Sequence, residues 1–63
     1  MKKSTIIEAK KAIENCLKLE GIKPTTEHVN GVLNDLQDYA EDYGWSDEQA
    51  IDEIYSIIKE LYR

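Results

Sequence analysis

Between Pro24 and Ile58 lie nine carboxylates, Glu27, Asp35, Asp38, Glu41, Asp42, Asp47, Glu48, Asp52 and Glu53, and no lysine or arginine. Carboxylates gathered this way can do three kinds of chemistry. They can move protons, if a cleft drives their proton affinities apart. They can hold a hard cation, if the spacing converges their oxygens. Failing both, they present a field of one sign to whatever the protein meets.

The first two fail on the residues. Asp38-Tyr39-Ala40-Glu41-Asp42-Tyr43-Gly44 is acidic and ends in glycine, but a calcium loop needs ligands at positions 1, 3 and 5 and glycine at 6. Starting at Asp38 puts Ala40 at position 3, Tyr43 at 6 and Gly44 at 7. His28 and Cys16 are the chain's lone histidine and thiol and lack CxxC or HxxxH spacing, so no zinc site is expected. No glycine-rich phosphate loop occurs. Acid–base work needs an enclosed pocket, typically about 300–1,000 Å³, which a chain of 63 residues can hardly surround. The expectation is a protein that is not an enzyme, with no catalytic, cofactor-binding or metal residues.

The third kind remains. Six of the eight basic residues fall early, at Lys2, Lys3, Lys10, Lys11, Lys18 and Lys23, and the net charge is −5. An acidic surface repels nucleic acid and anionic membranes, so neither is an expected partner. A single cysteine leaves no internal disulfide and suits a reducing cytosol. Met1-Lys2-Lys3 resembles the start of a signal peptide, but no continuous apolar run follows. The expected location is cytoplasmic.

Positioning these charges requires helices, and their ends are legible. Gly21 and Gly44 stand where left-handed residues end helices; at the first, Ile22 is placed to touch Leu17, and Pro24 delays the next start until Thr25 or Thr26. Thr5-Ile6-Ile7-Glu8 and Ser46-Asp47-Glu48-Gln49 read as capping boxes, with Trp45 and Ala50 placed to staple the second. Ile6, Ala9, Ile13, Cys16 and Leu17 form one stripe. Val29, Val32, Leu33, Leu36, Tyr39, Ala40 and Tyr43 form another, within roughly 120° of a helical wheel. The chain reads as all-α: one domain over 1–63, an up-down-up antiparallel three-helix bundle with helices at about 5–20, 26–43 and 47–62.

The third helix carries two seams, Ala50, Ile54, Ile57 and Leu61 beside Ile51, Tyr55, Ile58 and Tyr62, spanning roughly 160°. Either it packs against both other helices, or the second seam stays partly exposed for a homodimer or another partner.

Some charges serve their helices. Asp47, Glu48 and Glu27 sit at helix starts and Lys59 and Arg63 at a helix end, as the dipole prefers; Glu14 and Lys18 have ion-pair spacing. Asp35, Asp38, Glu41 and Asp42 do not. They share the outward face of the second helix, where i,i+3 and i,i+4 like charges cost about 0.2–0.5 kcal/mol per pair. Glu41 and Asp42 also occupy its last turn, at about 0.3–1 kcal/mol each. Gly31 lies on that face too and costs about 1 kcal/mol relative to alanine. Either the helix starts later, near Asn30, or a partner approaches the backbone there.

A solvated face that keeps a small protein in solution, compensated by lysines of the first helix, is the plainer account. The functional account is a non-enzymatic inhibitor or adaptor that engages a basic surface of a protein, such as a nucleic-acid channel, through Asp35, Asp38, Glu41, Asp42, Trp45 and Asp52. Inhibitors and antitoxins of phages and mobile elements share this size and charge, by analogy only. The alternative is a structural or regulatory homo-oligomer assembled through Ile51, Tyr55, Ile58 and Tyr62. Direct DNA binding by a helix-turn-helix is rejected, because its recognition half would read Asp47, Glu48, Gln49, Asp52 and Glu53.

Overall fold

Residues 1–63 are all described by a computed structural model, which contains helices and no strand. Helix α1 spans Lys3–Leu19, α2 Thr26–Tyr43, α3 Asp47–Asp52 and α4 Ile54–Leu61. Three helices were expected. The fourth arises because the third breaks in two at Glu53.

The break is a local tightening. Glu53 has φ −89° and ψ −3°, and its N–H is shared between the carbonyls of Gln49 (3.1 Å) and Ala50 (3.2 Å). A bifurcated bond of this kind ends an α-helix in a tighter turn. Beyond it α4 presents Ile54, Ile57 and Ile58 to the core, while α3 contributes Ala50. Both short helices pack on α1 and on α2.

The core consists of eleven buried residues, all apolar: Ala9, Ile13 and Leu17 of α1, Val29, Val32, Leu33 and Leu36 of α2, and the four just named. Their spacing is the sequence's own helical stripe. Four stripe members, Ile6, Cys16, Tyr39 and Ala40, are half-buried against it, and two are exposed. Tyr43 is 66% exposed and Leu61 45% exposed, each at the far end of its helix. Ile58 corrects the proposed oligomer seam: it is 0% exposed and belongs to the core. Ile51 is half-buried against that core, which leaves Tyr55 and Tyr62 as the exposed members.

Helix ends follow the sequence in most places. Gly21 has φ +73°, and the Ile22 and Gly21 N–H groups donate to the Leu17 and Lys18 carbonyls at 2.9 and 3.0 Å, a Schellman ending. Thr25 caps α2 by accepting from the His28 N–H at 3.1 Å, so α2 starts where expected, not near Asn30. Gly44, at φ +66°, ends it. Ser46 accepts from the Gln49 N–H at 3.2 Å, but the Gln49 amide turns forward to Glu53 at 3.0 Å rather than back. Half of that capping box forms.

The Thr5 box does not form. Helix α1 begins two residues earlier, behind Lys2, which makes no side-chain cap. Thr5 sits inside the first turn, and its hydroxyl donates to Asp47 Oδ2 at 2.8 Å, which also accepts from the Lys2 N–H at 3.3 Å. Asp47 thus caps α1 from the start of α3. The Thr5 hydroxyl, then the Lys2 N–H, hold its carboxyl below the usual aspartate range.

Two expected outcomes follow from this packing. Ile58→Ala should cost about 2–5 kcal/mol, as deletion of fully buried methyl groups does, and Leu61→Ala far less, read from urea unfolding; equal losses would contradict the assignment. Because folding lowers the Asp47 pKa, its contribution is complete above the ordinary aspartate value and vanishes as pH falls through the folded one. Asp47→Ala should therefore be less stable than the parent at pH 7, with the gap narrowing as pH falls below the ordinary aspartate range. A gap independent of pH would show that the carboxylate charge is irrelevant.

Candidate partner interface

Rotation of α2 decides what faces water. With Val29, Val32, Leu33 and Leu36 buried, the opposite side presents Asp38, Glu41 and Asp42 exposed, and Asp35 half-buried. None of the four accepts a hydrogen bond from another side chain. The molecule has one ion pair, Arg63 to Glu60 at 3.2 Å. Lysines 10, 11 and 18 therefore form no bridge to the acids of α2, and Glu14 and Lys18 do not pair despite their spacing.

Asp35, Asp38 and Asp42 line one shallow concavity with Tyr39. Asp38 and Glu41 line a second one that includes Trp45 and Asp47. Asp52, exposed on α3, lines a different hollow with Thr5, Glu8, Asp47, Glu48 and Ile51. The proposed site is thus brought together on α2 and at Trp45, with Asp52 on a neighbouring hollow. No group of three acids, histidine or cysteine converges closely enough to hold a metal ion.

Trp45 is fixed by the turn. Left-handed Gly44 reverses the chain, and the Trp45 N–H donates to the Ala40 carbonyl at 2.9 Å. Its indole then stacks with Tyr39 and Tyr43, at centroid distances of 6.1 and 5.6 Å; the two tyrosines lie 5.8 Å apart with planes 9° from parallel. These rings and Ile57 line an open groove of about 180 Å³, with Glu53, Ser56 and Glu60 along its other edge. That volume lies below the roughly 300–1,000 Å³ of small-molecule sites. The α4 edge of the groove was missed in the sequence. Its signal was there, since Glu53, Ser56, Ile57 and Glu60 repeat at i, i+3, i+4 and i+7, but nothing local says that this face meets Tyr43.

Elsewhere, polar groups hold the scaffold. The Tyr55 hydroxyl donates to Glu20 Oε2 at 3.0 Å, and Lys59 lies over the Tyr55 ring at 5.1 Å. Tyr62 packs edge-on against His28, with centroids 5.7 Å apart, while His28 Nδ1 donates to the Lys23 carbonyl at 2.6 Å. Cys16 is half-buried; burial, and secondarily the Glu20 charge, push its thiol pKa up. That disfavours the thiolate a reactive cysteine needs.

Comparison with protein-family models, curated proteins and solved structures found no match to this chain. No helix is long and apolar enough to cross a membrane.

Gly31 lies in the middle of α2, exposed, with nothing within 4 Å of where a Cβ would stand. Nothing in the fold requires glycine there. Gly31→Ala should stabilise the protein by about 1 kcal/mol, measured as a raised urea midpoint; destabilisation would reveal a backbone constraint at this position.

Proposed function

We propose that this is a small acidic, non-enzymatic binding protein, an inhibitor or adaptor, whose α2 face and adjoining Trp45 turn engage a basic surface of a protein partner. The observation that carries the reading is that Asp38, Glu41 and Asp42 are exposed and form no ion pair with a cation of the chain. Carboxylates spaced along a helix can occupy positions that phosphates would take on a nucleic-acid-binding protein. Complementary charge speeds encounter and fixes orientation, and buried aromatics supply affinity.

The scaffold we infer is an up-down-up arrangement in which α3 and α4 act as one bent arm. Support comes from its ties: Asp47 meets Thr5 at the start of α1, Tyr55 meets Glu20 at its end, and Tyr62 meets His28 at the start of α2. The bent arm then runs with α1 and against α2. Assembly through α4 has less support, because Ile58 is in the core and Tyr55 is already bonded to Glu20.

The test is affinity capture from the native cell or its host, with the parent and with Asp38→Lys/Asp42→Lys. The parent should retain basic proteins and release them between about 0.1 and 1 M salt, as the Debye length falls from about 10 to about 3 Å. The double variant should retain none of them while remaining folded and in the parent's oligomeric state. Identical captures by both proteins, or captures indifferent to salt, would refute the reading.

A further inference from the structure

We infer that the Tyr39–Tyr43–Trp45 stack is a seat for an arginine side chain of the protein partner, its guanidinium lying on the rings and its edge bonded to the surrounding carboxylates. This rests on the binding reading above and names the chemistry of its central contact.

The ring geometry comes first. The three rings lie mutually 5.6–6.1 Å apart with interplanar angles of 9°, 29° and 26°, so they form an offset, nearly parallel stack that serves as the platform. Tyr43 is two-thirds exposed on it. Parallel faces suit a planar cation laid flat, which is what distinguishes guanidinium from the compact lysine ammonium. A cage of crossed rings would suit a quaternary ammonium better.

Charge supplies the second argument. Glu53 and Glu60 stand along the groove, and Asp35, Asp38 and Asp42 line the hollow that shares Tyr39; no lysine or arginine lines either one. Glu60 does meet Arg63, in an exposed pair that a second guanidinium can join or replace. The only ring with a cation of the chain over it is Tyr55, beneath Lys59, so the platform is left to an outside one. A nucleobase could also stack on such rings, but its phosphates would meet these five carboxylates. An apolar segment would leave them without a counter-charge.

The test compares fluorescently labelled nona-arginine and nona-lysine peptides, with anisotropy read at low salt. The parent should bind the arginine peptide several-fold tighter than the lysine peptide. Tyr43→Ala should erase that preference, costing the arginine peptide about threefold to tenfold, while Tyr43→Phe keeps it. Equal binding of both peptides, unaffected by Tyr43→Ala, would overturn the arginine seat and leave the acidic face standing. Failure of both peptides to bind would overturn the face and the seat together. A dimer in peptide-free sedimentation that Tyr43→Ala dissociates would also overturn it, by showing that a second copy covers the platform.

Discussion

Burial of Val29, Val32, Leu33 and Leu36 sets the rotation of α2 about its own axis, and the rest of the molecule depends on that setting. A small chain leaves little choice. Its core has eleven side chains, none polar, and every one is needed where burial barely outweighs conformational entropy. Turning α2 by a third of a revolution would bury carboxylates at a cost no bundle of this size could meet. Asp38, Glu41 and Asp42 therefore face water because four aliphatic residues do not.

That outward face is locally unfavourable. The like-charge spacings, the anions in the last turn of α2 with no basic residue there, and the helical glycine each oppose helix stability by a few tenths of a kcal/mol to about 1 kcal/mol. Solubility alone explains a net charge, but mixed-sign surfaces provide it without these penalties. The lysines of α1, which the plainer account would use for compensation, make no bridge to the acids of α2. A field of one sign, held on a rigid element and left unpaired, is what electrostatic recognition uses.

The parts legible in the sequence were those set by neighbours along the chain. Gly21, Thr25, Gly44 and Ser46 end or begin helices where they were expected to, because caps are local chemistry. Most of the failures involve distance. Thr5 looked like a cap because Glu8 stands three residues on, yet its hydroxyl goes to Asp47, forty-two residues away. Nothing at Glu53 marks a break; neither proline nor glycine is near, and the turn tightens as Ala50 and Ile54 pack from separate short helices. Tyr43 and Leu61 fit their stripes on a wheel, but a wheel does not show where the core stops. The acidic half of the candidate site needed only periodicity to be seen. Its aromatic groove needed the juxtaposition of α2 and α4, which periodicity does not encode.

Charge and rings on this surface differ in range, and that difference assigns them different work. Carboxylates act across several ångströms and weaken as salt rises, so in the proposed recognition they would govern approach and orientation more than the final affinity. Ring contacts act only on touching and survive salt, so there they would govern residence. The Gly44 turn is what joins the two. By reversing the chain directly after Tyr43 it lays Trp45 back over the last turn of α2, at the end of the row of acids. The same reversal starts α3 at Asp47, whose carboxylate holds Thr5 and the beginning of α1. One left-handed glycine therefore sets the edge of the candidate interface and the closure of the bundle together.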